Sequence, residues 1–122
     1  MKDSKFVDSS VWIDYLFNGR HAGVIDSDEI LLISALSIFE IKKKLKKNKV
    51  DEKKIIKGME FIKKRSLIIQ VSGEIADMAV HYSLEKNLPI IDSLIYASSI
   101  LTDSTLITID NDFRGLKDVV ML

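Results

Sequence analysis

The sequence predicts an α/β fold in which a parallel sheet is covered on both faces by helices. Two observations lead there. Short apolar runs alternate along the chain with longer segments of helical periodicity. The short runs are also continuously apolar rather than alternating, as strands buried on both faces are. Right-handed crossovers, and ligand sites beyond the carboxyl ends of the strands, come with such a sheet.

Phe6-Val7 is the first strand, and it ends at Asp8. A helix starts near Ser10 and carries Val11, Trp12, Tyr15 and Leu16. Asn18-Gly19 closes it, because both residues tolerate a left-handed backbone. Residues 30–33 form the second strand, and a helix follows from about Ala35 to Lys47. Asp51 is the expected N-cap of the next helix, which has Ile55, Ile56, Met59 and Ile62 on one face. Residues 67–71 form the third strand. Ser72 caps a helix whose Ile75, Met78, Ala79 and Tyr82 fall at i, i+3, i+4 and i+7, and Leu88-Pro89 stops it. A further helix runs from about Asp92 to Leu101. Residues 106–109 are the fourth strand and 119–122 a short fifth. Trp12, Tyr15 and Phe17 are assigned to the core or to a dimer surface.

The 122 residues have the length of one domain, taken as 1–122, with enough chain to bury a core. Apolar residues at 47% and charged residues at 30% describe a globular chain rather than a disordered one. There is no cysteine, so disulfides and thiolate metal sites are excluded, which suits a reducing compartment. No apolar run approaches a bilayer span, and the opening MKDSKF has no signal-peptide core. A soluble, cytoplasmic protein is expected. Net charge is zero but unevenly spread: nine lysines between positions 42 and 57 stand against only Asp51 and Glu52. Such a stretch is either a solvated helix face or a surface for a polyanion, with Lys42, Lys43, Lys46 and Lys47 as candidate contacts.

Asp8 and Asp110 both follow a strand, so both can reach one rim of the sheet although they lie near opposite ends of the chain. Each acidic residue also has a purely structural explanation. Asp8 and Asp92 stand where residues cap helices. Asp110 and Asp112 fit a turn built on Asp-Asn-Asp, although two carboxylates beside the Thr108 hydroxyl equally suit a hard cation. Glu40 lies off the apolar stripe of Ile38, Ile41 and Leu45 and can pair with Lys44 at i+4, worth about 0.2–0.5 kcal/mol. His21 and His81 are isolated, without the spacing of a metal pair. There is no glycine-rich phosphate loop, no GxSxG and no nucleophilic cysteine, so those chemistries have no support.

Four segments taken together carry a resemblance. FVDSSVWIDYL, SALSIFEI, LPIIDSLIYASSI and LITIDNDF resemble, in order and nearly end to end, the acidic motifs of the PIN-domain family, most closely its VapC-type toxins. The resemblance implies Asp8, Glu40, Asp92 and Asp110 as the core acids, which both ligate metal and carry catalysis. Asp112 is implied as a further ligand, and Ser9 and Thr108 as hydroxyls that orient carboxylates or substrate. It also implies a three-layer α/β/α sandwich with strand order 3-2-1-4-5, and a homodimer. The implied activity is cleavage of single-stranded RNA with Mg²⁺ or Mn²⁺, one or two ions. For a toxin, an antitoxin partner is implied, placing a basic side chain among the acids.

That chemistry has a physical logic. Carboxylates crowded in one cleft raise one another's pKa. A hard dication removes the repulsion, and oxygen-only ligands favour Mg²⁺ or Mn²⁺ over zinc. Such an ion lowers the pKa of a bound water and neutralises charge on phosphoryl oxygens. The competing expectation is a module that binds RNA or protein without turnover, or a PIN nuclease of RNA processing. Two other phosphoryl-transfer folds fit poorly: Ser10 stands where haloacid-dehalogenase-type phosphatases need a second Asp. Strand three ends in Val71-Ser72-Gly73 where receiver domains carry the phosphorylated Asp.

Overall fold

The computed structural model describes residues 4–122. Five strands form one sheet in the order β3-β2-β1-β4-β5: β1 (Lys5–Val7), β2 (Leu31–Ser34), β3 (Ser66–Ile69), β4 (Thr105–Thr108) and β5 (Val119–Met121). All four pairings are parallel. Helices α1 (Ser9–Asn18), α2 (Ala22–Ile25), α3 (Ala35–Lys47), α4 (Glu52–Arg65), α5 (Gly73–Glu85) and α6 (Ile90–Leu101) make the connections, with a 3₁₀ turn at Asn111–Phe113. The expected α/β/α sandwich with order 3-2-1-4-5 is the observed one. No helix among the described residues is long and apolar enough to cross a membrane.

Successive strand residues point to opposite faces, and here each face finds its own helices. Val7, Ile33 and Ile107 turn to one layer, where Trp12 of α1, Ile41 of α3 and Ile62 of α4 complete a buried cluster. Phe6, Leu32 and Leu106 turn to the other, meeting Ile95 and Tyr96 of α6 and Phe113. α5 joins that second layer through Ile75 and Ala79 packed on Ala97. Helix α6 is buried along most of its length, with Ser93, Ala97, Ser98 and Ser99 among its covered residues. Those serine hydroxyls donate to carbonyls of their own helix at 2.6–2.7 Å, so small polar residues are buried without stranding a donor.

The structure departs from the sequence-based expectations in several places. β3 lies at the edge, as the expected order has it, but the two-sided cover expected of its apolar run is missing, with Leu67 60% and Ile68 37% exposed. The short α2 has no periodic signal and was not expected. α6 opens at Ile90 after Pro89, so Asp92 lies in its first turn and is not its cap. Asp51 precedes α4 without a side-chain capping bond. Gly19 does close α1 with φ 67°, its N–H donating to Tyr15 O at 2.9 Å.

The topology determines where a site can form. From β1 the chain steps outward through β2 to β3, then returns to place β4 on the other side of β1. A crevice opens at such a switch point, at the carboxyl ends of the two strands. Val7 pairs with Ile107 across it, and the Asp8 N–H donates to Ile107 O at 3.0 Å. Asp8 and Asp110 leave the sheet from neighbouring strands at this edge.

Candidate functional site

Asp8 occupies the N-cap position of α1 but makes no side-chain capping bond. The residue is 5% exposed, and its carboxylate is bound elsewhere. Ser10 Oγ donates to Asp8 Oδ2 at 2.7 Å and Thr108 Oγ1 donates to the same oxygen at 2.8 Å. Each hydroxyl has one proton to give, so the 3.3 Å approach of Ser10 to Thr108 is contact rather than a third bond. As acceptors both hydroxyls hold the outgoing strand: the Ile109 N–H donates to Ser10 Oγ at 3.2 Å and the Asp110 N–H to Thr108 Oγ1 at 2.9 Å. Two hydroxyl groups thus tie the end of β1 to the end of β4. Ser10 carries no mark in the sequence that separates it from Ser9. The only available signal is its place in the second of two hydroxyl positions after a strand-ending Asp.

Asp110 caps the 3₁₀ turn, its Oδ1 accepting the Asp112 N–H at 2.9 Å. The turn carries Asp112 back toward α6, where Asp92 sits in the first turn of the helix. One carboxylate oxygen from each of Asp92, Asp110 and Asp112 lies within 4.8 Å of the others. Glu40 arrives from the middle of α3, and its Oε1 accepts a bond from Ser9 Oγ at 3.2 Å. Its partner is therefore a residue of the crevice and not Lys44. Asp8, Glu40, Asp92 and Asp110 come together from four separate stretches of chain, and Ser9, Thr108 and Asp112 lie among them.

The electrostatics record this crowding. Partial burial pushes the Asp92 carboxyl up to about 7, helped by a hydrogen bond with Asp112 and by the charges of Asp110, Asp8 and Asp112. Burial raises Asp8 as well, against the bonds from Ser10 and Thr108 and with a push from Asp110. Glu40 is raised by burial and then by the charge of Asp8 and of Asp110, while Ser9 works the other way. Near neutral pH the cluster shares protons because the carboxylates cannot all ionise. The donor set is all oxygen, three of its members converge on one small volume, and it carries surplus negative charge. These residues fit a hard divalent cation, which would take the place of the shared proton.

The lysines of α3 divide between two surfaces. Lys43 and Lys47, with Lys44, line a groove beside Glu40. Lys42 faces a recess shared with α4, and Lys46 Nζ lies 4.0 Å from Glu52. His21 bonds Asp14 at 2.7 Å and His81 bonds Glu85 at 2.8 Å, so both histidines serve local structure.

Residues 5–119 match the family model of the PIN domain. A chain of a toxin–antitoxin complex from Klebsiella pneumoniae is 26% identical, with 96% of each chain covered and a TM-score of 0.79. VapBC2 from Rickettsia felis, bound to a DNA fragment from its promoter, superposes with a TM-score of 0.79 at 15% identity, over 98% of this chain and 97% of that one. VapC20 of Mycobacterium tuberculosis, described as a sarcin–ricin loop cleaving toxin, gives 0.70 at 13% identity, over 94% of this chain and 98% of that one. The last two likenesses concern the fold. No curated protein sequence gives a significant match.

Proposed function

The chain belongs to the PIN-domain family, and from that premise we propose that it is a metal-dependent ribonuclease. It hydrolyses phosphodiester bonds of single-stranded RNA and serves as the toxin of a toxin–antitoxin pair. The observation that carries this reading is the convergence of Asp8, Glu40, Asp92 and Asp110 at the switch point, where burial and then the neighbouring acids push Asp92 up to about 7. The whole chain, 1–122, acts as one catalytic domain in the cytoplasm and pairs as a homodimer. The likeness to a toxin–antitoxin complex supports an antitoxin partner.

Asp92, Asp110 and Asp112 would hold Mg²⁺ or Mn²⁺, with Asp8 and Glu40 as the further carboxylates of the site. When bound, such an ion lowers the pKa of a coordinated water and neutralises charge on the phosphoryl oxygens. The protein's own groups do the rest. Asp92 would serve the ion as the ionised carboxylate. Ser10 and Thr108 keep the Asp8 carboxylate in one orientation, which positioning of this kind requires. Glu40, half-buried and held by Ser9, has a carboxyl raised above its ordinary value by that burial, and it is the base that takes the proton of the attacking water. The new bond joins that water's oxygen to phosphorus as the bond to the 3′ oxygen breaks, and the departing 3′ oxygen takes up a proton from solvent water. The products are a 5′-phosphate and a 3′-hydroxyl.

The test is cleavage of a single-stranded RNA by purified protein with Mn²⁺ or Mg²⁺. Activity should vanish with EDTA and fall by at least about 100-fold in Asp8→Asn and Asp92→Asn, the order expected when charge stabilisation at a reacting phosphate is lost. Full activity in either variant, or in EDTA, defeats the proposal. RNA binding by the wild type without turnover in any metal identifies a binding module instead.

A further inference from the structure

Beside Glu40 the surface of α3 opens into a groove of about 360 Å³. Leu36, Ile91 and Phe39 line it with apolar surface, and Lys43, Lys44 and Lys47 line it with positive charge. Phe39 is 66% exposed although it precedes Glu40 directly in sequence. A phenyl ring left open to water on an otherwise lysine-rich helix loses the benefit of burial. Lys43 Nζ lies 5.7 Å from the centre of that ring. An exposed ring, adjacent cations and a groove that reaches Glu40 of the cluster are the components that single-stranded nucleic acid uses: bases stack on aromatic faces while phosphates follow the positive groove.

Resting on the ribonuclease reading, we propose that this groove is a nucleotide subsite, in which the RNA strand entering the carboxylate cluster sets a base on Phe39 and its phosphates against Lys43, Lys44 and Lys47. Charge complementarity selects this occupant. The groove's charged side chains are three lysines and Glu40, and Glu40 belongs to the cluster itself. Lys42 and Lys46 face α4 and stand outside the subsite. Since every base has a π face, Phe39 supplies affinity and register without strict sequence preference.

The experiment measures binding of fluorescein-labelled dodecauridylate by fluorescence anisotropy, over a range of salt, with Ca²⁺ as the only divalent cation. Phe39→Ala should weaken binding about tenfold, the effect of removing one stacked base, with the salt slope unchanged. Phe39→Trp should bind as well as the wild type or better. Lys43→Glu with Lys47→Glu should weaken binding and flatten the salt slope, by about 0.7 for each phosphate no longer neutralised, whereas Lys42→Glu should do less. Wild-type binding in Phe39→Ala overturns the subsite, and is the result expected if the groove serves a protein segment. Phe39→Leu binding as the wild type does also overturns it, because apolar bulk would then suffice without a ring. If wild-type protein cleaves RNA with Mn²⁺ while Phe39→Ala binds unchanged, the subsite alone falls. If wild-type protein neither binds nor cleaves, the ribonuclease reading falls with it.

Discussion

A carboxylate buried at the end of a strand needs partners, and Asp8 finds them in two hydroxyls separated from each other by 98 positions. Each of those bonds reaches an acceptor that is charged once Asp8 ionises, the kind worth about 1.5–3 kcal/mol. Ser10→Ala removes one of them and also leaves the Ile109 N–H without its acceptor. The expected result is a loss of about 1.5–3 kcal/mol in a urea titration of the metal-free protein, together with weaker Mn²⁺ binding by calorimetry. Ser10→Thr, which keeps the hydroxyl, should restore much of both. An unchanged Mn²⁺ affinity in Ser10→Ala would mean that Asp8 needs no such anchor. Single residues also show the limit of reading sequence. Glu40 stands off the apolar stripe of its helix, so periodicity leaves it on the surface, and only the family resemblance singles it out. Nothing local says that Ser10 reaches β4, because the pairing of β1 with β4 that brings them together is a long-range fact.

At the scale of elements, the layers and the strand order were legible and the exposure of each strand was not. The two-sided apolar runs of β1, β2 and β4 are central strands, as their composition predicts. β3 has the same composition, yet it lies at the margin of the sheet, and its residues 67 and 68 meet solvent. Composition reports what a strand can bury and not whether a neighbour arrives to bury it. α6 likewise begins before Asp92 because Pro89 suits the residue just ahead of a helix, and this puts the Asp92 carboxylate on the inner side of a first turn. An apolar edge strand is a template for pairing with another chain. Leu67→Lys should therefore leave the thermal midpoint within about 3 °C of wild type, as most exposed substitutions do, while reducing self-association at high concentration in sedimentation velocity. Stronger association in the variant would show that this edge is not the sticky one.

Over the whole molecule, folding concentrates acid at one rim and base along α3 and α4, although the net charge is zero. Assembling that rim costs stability, and the sign of the cost can be worked out. Asp8, Glu40 and Asp92 all have carboxyls raised above their ordinary values. Each therefore holds its proton more tightly folded than unfolded, so protonation favours the native state. Without metal, the stability these three groups contribute should be fully present below the ordinary carboxylate range of about 4 and should be lost as pH climbs from there toward the Asp92 value of about 7. A divalent cation held by this cluster, as proposed, would compete with those protons for the same oxygens, so its stabilising effect would run the opposite way. Thermal melts in EDTA should show the midpoint dropping between pH values of about 5 and 8. Saturating Mn²⁺ should raise it more at the alkaline end of that window than near its middle. Asp92→Asn should melt higher than wild type in EDTA at the alkaline end, because one repelling charge has gone. A metal increment that is the same at both pH values would mean that proton and ion do not share a site. The cluster would then be an acidic surface that happens to be crowded.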